Sequence, residues 1–405
     1  MVSPAFNLPD GLDAVIGERL DDLTAFRRDL HQHPEPGFQE KRTAARVAER
    51  LERLPGLSIE TGIAGTGIAA VLGADRPGPC IALRADMDCL PMDDASGKPW
   101  ASQNPGFAHA CGHDGHTACL LGAAEVLSGY ADRLPGPVKF IFQPAEEGLA
   151  GARSMIEAGV LKDPAVRAIY GLHGWPGLET GHIGFRKGPL MAASDKFSLI
   201  VHGQGGHAAM PHLAIDPVVA AAHIVTGLQS IVSRGVDPLD SAVVTAASIH
   251  GGSTFNVIPA RVEIQGTVRT LRESTRSFVF ERIERLARKT AEAHGCTVKA
   301  QLNRGYPVCA NDDTATDILT WIAQGTLDSP DRIRTPAPVM GGEDFAFFAE
   351  VIPAAYWFLG VKAPDDDRPA QLHQPHYDFN DSQIPLAVRL HCAVALNAGR
   401  LWSEH

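Results

Sequence analysis

Short apolar runs recur along the chain at 68–72, 80–83, 138–142, 168–172 and 354–359. Runs this brief predict strands, because a helix needs roughly ten residues to bury a face. Helical spacing appears between them. Leu20, Leu23, Phe26 and Leu30 share one face of an opening helical stretch that reaches about residue 54, and 117–127 is a second such stretch. Strands alternating with helices predict an α/β domain with a mostly parallel sheet.

The middle of the chain has another rhythm. A strand at 197–201 precedes Asp216-Pro217, a helix-opening pair, and apolar positions at Val218, Ala222, Val225, Leu228 and Ile231 that stop at Gly235. The β-rich runs 242–249 and 261–268 are joined by a Gly-rich loop; then come an amphipathic helix at 273–294 and a strand at 297–302. That order, β-α-β-β-α-β, is the ferredoxin-like unit. It predicts a small domain, 191–303, inserted into a larger one formed by 1–190 and 304–405.

Composition narrows the class. Of the 405 residues, 44% are hydrophobic and 20% charged, as in an ordinary globular protein. A net charge of −11 argues against nucleic acid or an anionic membrane surface as partner. No apolar run approaches a membrane span, and the first residues show neither a basic stretch nor an apolar core of a signal peptide. Seven scattered cysteines fit reduced thiols, so the expected location is the cytoplasm.

The chemistry lies where the strands end, the place an open α/β sheet gathers its ligands. The run at 80–83 leads into Arg84-Ala85-Asp86-Met87-Asp88, and the run at 138–142 into Gln143-Pro144-Ala145-Glu146-Glu147. The run at 168–172 leads into His173, and the last run is followed by a loop holding His373 and His376. HACGHDGHTA (109–118) opens a helix with Cys111, His113 and His116. Each residue alone has a plain structural explanation: a histidine bonded in the core, or a glutamate pair solvated at a helix start. Their recurrence at four strand ends does not, and such a cluster without cations would suffer desolvation and like-charge repulsion.

HACGHDGHTA, QPAEEG, GLHGWP (171–176), GQGGHAAMPH (203–212), FNVIP (255–259), GTVRT (266–270) and GGEDF (341–345) together resemble the dinuclear-metal amidohydrolases of the aminoacylase and carboxypeptidase metallopeptidase family. The branch resembled is that of hippurate hydrolase and the IAA-amino acid hydrolases. RRDLHQHPEPGFQE near the N-terminus is also similar to that branch. The resemblance implies two divalent ions per subunit, zinc or manganese first and cobalt or nickel next, held by Cys111, His113, Glu147, His173 and His373. Glu146 matches the general base. Many relatives have a His-x-Asp where this chain has Arg84-Ala85-Asp86, so Asp86 is expected to orient a ligand from behind rather than bind metal.

The same resemblance makes the inserted domain a lid and dimerisation domain. Within it His207 matches a donor to the oxyanion, acting in the same subunit or across a dimer, and Asn256 and Arg269 match residues that hold the substrate's carbonyl and α-carboxylate. Gly342 belongs to a backbone loop that could face substrate. The implied assembly is a homodimer through the lid, with a tetramer as the alternative. The implied reaction is hydrolysis of N-acyl or N-aroyl amino acids. Alternatives are a dipeptidase or carboxypeptidase using the same site, and a metal-binding relative without catalysis. Because successive residues of an extended chain project to opposite sides, Glu146 and Glu147 are expected to point apart.

Overall fold

The computed structural model describes residues 6–403, which form two compact units. The larger draws on the described residues of Met1–Leu190, Ala310–Ala337 and Phe347–His405, the smaller on Met191–Cys309 and Pro338–Ala346.

The larger unit is built on one sheet. Its strands are Leu57–Ile63 (β1), Gly67–Leu72 (β2), Cys80–Asp86 (β3), Val138–Gln143 (β4), Val166–Glu179 (β5) and, after the smaller unit and its four strands β6 to β9, Ala354–Lys362 (β10). They lie in the order β1-β2-β4-β3-β5-β10, and the two-residue strands Ile183–Gly184 and Ile333–Arg334 extend the far edge. The central four, β4, β3, β5 and β10, run parallel, while β1 and β2 add an antiparallel hairpin. Every residue of β2, β3 and β4 is buried, which is why these strands read as continuous apolar runs. Lys139 interrupts β4 in sequence only; its ammonium donates to the carbonyls of Val160, Asp163 and Pro164 at 2.8, 3.0 and 3.1 Å.

Helices cover the sheet. The opening helical stretch is not continuous: it is three helices, Leu12–Gly17, Leu20–Gln32 and Lys41–Leu51, and the second break is HPEPGFQE, whose two prolines cannot continue a helix. Helix His113–Ser128 is buried almost throughout, packed between Leu20–Gln32 and Ile384–Trp402. The approach is close enough that a Cβ on Gly122 would fall 2.7 Å from Leu23 and 2.8 Å from Val388. No helix among the described residues is long and apolar enough to cross a membrane, and the seven cysteines are buried and free.

The smaller unit is a four-stranded antiparallel sheet of Ala193–His202 (β6), Ala242–Gly251 (β7), Arg261–Thr270 (β8) and Thr297–Tyr306 (β9), in the order β7-β8-β6-β9. Helices Pro217–Gly235 and Glu273–Ala293 pack on one face, so inward Phe197, Leu199, Val201, Val262 and Ile264 meet Ile224, Leu228 and Ile283. This is the ferredoxin-like unit the sequence predicts. Asp216 caps its first helix, accepting from the Val218 N–H at 2.8 Å. The compact unit differs from the sequence boundary in two places: it runs on to Cys309, and it takes in a later segment. Pro338–Ala346, which carries Gly342, groups with the smaller unit, because the Ala192 N–H bonds to the carbonyls of Val339 and Gly341 at 3.1 and 2.9 Å.

Candidate metal centre

Four backbone segments of the larger unit bring the ligand-type side chains together. Gly112, at φ 89, is the turn that lets Cys111 and His113 flank the start of helix His113–Ser128; any side chain there would be strained and would press on the Tyr377 hydroxyl. His173 lies within β5, which continues six residues past it to Glu179, rather than at the strand's end as the apolar run suggested. His373 has φ 63, and its N–H bonds to the Ala110 carbonyl at 2.8 Å, which ties it beside Cys111.

The side chains converge. Cys111 Sγ lies 3.4 Å from Nε2 of His173 and 3.4 Å from Nε2 of His373. Glu147 Oε1 stands 3.3 Å from His373 Nε2 and 4.0 Å from His113 Nε2. Cys111, His113 and His173 each offer one ligand atom within 4.8 Å of the others, as do Cys111, Glu147 and His373. Cys111 and Glu147 each belong to two such groups and His113 to three, so the groups overlap into one cluster.

The glutamate pair departs from the expectation. The chain is not extended there: Ala145 is left-handed at φ 56, and Glu147 breaks the short turn Glu146–Leu149 with ψ 78. Consequently Glu146 and Glu147 do not point apart. One oxygen of each, with a nitrogen of His113, falls within 4.8 Å of the others.

Protonation shows what the cluster lacks without a cation. Burial, followed by the charges of Glu147, Glu146 and Asp86, pushes the Cys111 thiol well above its usual range. Burial opposes charging of His113, yet Asp86, Asp88 and Glu147 raise it to about 10. His173 is pushed well below its usual value by burial and by His116. Cys111 and His113 would thus give up a proton to a divalent ion, whereas His173 stays neutral. Two buried atoms aimed into the cluster, His113 Nε2 and Glu147 Oε1, have no hydrogen-bond partner. These two atoms, together with the sulfur, imidazole and carboxylate groups around them, fit a pair of divalent metal ions.

The surrounding partners orient the ligands. Asp86 accepts from His116 Nδ1 at 2.7 Å and from Arg84 at 2.7 Å, and sits 3.7 Å from His113 Nε2. His116 Nε2 accepts from the Gly174 N–H at 2.8 Å, so both its ring nitrogens are spent and it is no ligand. Asp88, which the sequence did not single out, is used twice. Its carbonyl takes the His113 Nδ1 proton at 2.9 Å, and its carboxylate takes the Glu147 N–H at 2.9 Å. Asp88 stands two residues past Asp86, a spacing that could have flagged it.

The smaller unit holds the other four residues in two separate places. His207 pairs in register with Val257, next to Asn256, and its Nδ1 accepts from the Ala209 N–H at 3.0 Å. The proton of the neutral ring then resides on Nε2, which makes that nitrogen a donor. Asn256 Oδ1 accepts from the Thr254 hydroxyl at 3.1 Å. Arg269 pairs in register with Ser194, and a Cβ on Gly342 would lie 2.6 Å from Ser194 Cβ. Arg269 is half-buried and bonds only to carbonyls, those of Val268 at 3.0 Å and Asp195 at 3.4 Å, with no carboxylate partner among the described residues. Arg269 pairs with Ser194 near one end of β6, and His202, which His207 follows five residues on, pairs with Arg261 at the other. Eight residue steps at ~3.3 Å separate the two ends by about 26 Å.

Replacing Cys111 by serine is expected to weaken metal binding by at least about tenfold, because a shared soft ligand becomes a poor one. A chelator competition titration measures it; unchanged affinity would remove Cys111 from the centre.

The chain belongs to a family of metal-dependent hydrolases: residues 82–397 match the model of Peptidase family M20/M25/M40. It is 40% identical to the N-acetyl-L-cysteine deacetylase of Bacillus subtilis (strain 168) over 362 residues, 89% of this chain and 84% of that protein. It is 38% identical to IAA-amino acid hydrolase ILR1-like 4 of Arabidopsis thaliana, covering 93% of this chain and 85% of the relative. The crystal structure of the Bacillus subtilis YxeP protein, described as a dinuclear metal binding peptidase from the M20 family, superposes with a TM-score of 0.82 at 34% identity, over 95% of this chain and 99% of that one.

Proposed function

We propose that the protein hydrolyses the amide bond of N-acyl and N-aroyl amino acids, hippurate-like compounds included, to a carboxylic acid and a free amino acid. The observation that carries this reading is the second carboxylate. Two triads sharing Cys111 account for a metal pair, and Glu146 is an additional acid group beside them. A site that only stored metal would have no use for it, which also argues against a relative without catalysis. The names of the deacetylase and the IAA-amino acid hydrolase support the acyl amino acid class.

Cys111, His113, Glu147, His173 and His373 would hold two ions, zinc or manganese first and cobalt or nickel next. When bound, the ions lower the pKa of water toward neutrality and polarise the amide carbonyl. Glu146 takes the proton of the attacking water and returns it to the leaving amine. Asp88 and Asp86 keep His113 and Glu147 in place. His207 Nε2 donates to the oxyanion, Asn256 to the carbonyl, and Arg269 grips the α-carboxylate while the Gly342 backbone lies along the substrate.

An N-acyl amino acid is about the size of a dipeptide, so it spans roughly 7–10 Å. One molecule therefore cannot reach both Arg269 and His207 of the same chain. We place His207 and Asn256 on the active site of a second copy, in a homodimer formed through the smaller unit. Exposed apolar residues around His207 support that face: Phe255 is 97% exposed and Leu213 63%. Mixing His207→Ala with Glu146→Ala subunits is expected to restore up to about a quarter of full activity, the share of intact sites when the subunits mix at random. No recovery, with subunit exchange demonstrated, would return His207 to its own subunit.

The overall reading is tested by assaying a panel of N-acyl amino acids and dipeptides on protein reconstituted with each metal. Release of amino acid from acyl substrates supports it. Turnover of dipeptides alone would make the protein a dipeptidase or carboxypeptidase.

A further inference from the structure

The stretch RRDLHQHPEPGFQE has no part in the chemistry above, yet its last residue touches the turn that carries the glutamate pair. Glu40 is buried and stands at the N-terminal end of helix Lys41–Leu51, where a carboxylate would ordinarily accept from the helix's first free N–H groups. It does not. Those groups are taken by Glu35, which accepts from the Arg42 N–H at 3.0 Å and from the Thr43 N–H at 2.8 Å. Glu40 is released to turn inward. Its Oε1 accepts from the N–H of Ala145 at 2.8 Å, and its Oε2 from the Thr66 hydroxyl at 2.6 Å.

Ala145 immediately precedes Glu146 and holds φ 56 and ψ 44, a backbone region that residues bearing a Cβ occupy only when their surroundings enforce it. Gly37, from the same stretch, closes on it as well. A Cβ on Gly37 would fall 3.0 Å from both Cα and Cβ of Ala145 and 2.9 Å from Leu149. Two residues of one motif thus bear on one strained alanine.

We propose that Glu40 is a positioning residue for the amide hydrolysis: by accepting the Ala145 N–H it holds that residue left-handed, and this aims Glu146 and Glu147 into the same cluster. The inference rests on the reading of Glu146 as the base. Without Glu40 the Ala145 N–H is a buried donor with nothing to bond, and relaxation to an ordinary backbone angle re-aims everything that follows. A misplacement of about 1 Å at a reacting group costs on the order of 10²-fold in rate.

The test uses metal-loaded protein and four variants. Glu40→Ala removes the acceptor, and Glu40→Gln leaves a carbonyl oxygen in its place. Ala145→Gly makes the left-handed conformation cheap, and the double variant combines Glu40→Ala with Ala145→Gly. In Glu40→Ala, kcat is expected to fall at least about tenfold with KM within about twofold, while Glu40→Gln stays within about threefold of the unmodified enzyme. Adding Ala145→Gly to Glu40→Ala should recover at least about threefold, a rescue that a mere loss of stability would not show. Hydrogen–deuterium exchange of the segment 144–150 should rise at least about tenfold in Glu40→Ala. That measurement needs no substrate, so it stands or falls independently of whether acyl amino acids are the substrates. Should Glu40→Ala fail to fold, Gly37→Ala pushes on Ala145 from the other side and should lower kcat at least about tenfold. Unchanged exchange at 144–150, a kcat loss that Ala145→Gly does not relieve, or full activity in Gly37→Ala would overturn the proposal.

Discussion

Replacing Glu146 by glutamine is expected to lower kcat by about 10²–10⁴-fold while metal content stays unchanged. The amide has the size of the carboxylate but cannot accept the proton of water, so the loss falls on the chemical step. Glu147→Gln is expected to behave in the opposite order. Glu147 Oε1 lies 3.3 Å from His373 Nε2 and in one ligand-type group with Cys111 and His373. Weakening that ligand empties the site first and stops turnover as a consequence. Metal analysis of both variants, alongside kcat, decides the assignment. If Glu146→Gln loses its metal and Glu147→Gln keeps it, the two roles are exchanged.

The second large effect concerns the substrate's free carboxylate. Arg269 is half-buried, and burial lowers its pKa, which marks a guanidinium short of compensating charge. Arginine grips a carboxylate through two parallel hydrogen bonds. An amide or ester cap removes the charge and leaves that guanidinium facing a neutral group. Hippurate-like acids should therefore be cleaved at least about a hundredfold better in kcat/KM than their C-terminal amides, equivalent to ~3 kcal/mol. Arg269→Ala should harm the acid severely and the amide little, so the preference collapses. Comparable cleavage of acid and amide by the unmodified protein would refute the clamp and move the substrate class toward simple amides.

Legibility in the sequence followed burial. β2, β3, β4 and β10 announce themselves because strands covered on both faces must be apolar throughout, or must satisfy an exception such as Lys139 locally. β1, LSIETGI, escaped because it is an edge strand with a mostly exposed pattern. The β-α-β-β-α-β order was readable because its first helix opens on Asp216-Pro217 and its second is amphipathic and ends at Gly295. The attachment of Pro338–Ala346 to the smaller unit was not, since it rests on backbone hydrogen bonds to Ala192 that any residue can make.

The centre divides the same way. Recurrence of ligand-type residues near strand ends pointed to a metal cluster, and the motif resemblance singled out Cys111, His113, Glu147, His173 and His373, which the folded chain brings into two overlapping groups. The direction of the glutamate pair could not. It depends on a left-handed alanine, and alanine, unlike glycine, gives no hint of that conformation. Glu40 was likewise silent, because what it holds is a backbone N–H, which leaves no mark in sequence; for Asp88 the only hint was its spacing from Asp86.

The interleaving of the two units has a consequence for biosynthesis. The smaller unit's sheet is complete once Tyr306 has emerged, whereas the larger sheet still awaits β10, which pairs alongside β5. From Tyr306 to the end of β10 at Lys362 lie about 56 residues, roughly 3–11 s of translation at typical rates. During that interval β5 presents an open edge on the ribosome, and Cys111, His113 and His173 are already made while His373 is not. The nascent chain can thus acquire a compact inserted unit well before it can assemble its full set of metal ligands. Chains arrested before residue 373 should fold the smaller unit and still lack the complete centre.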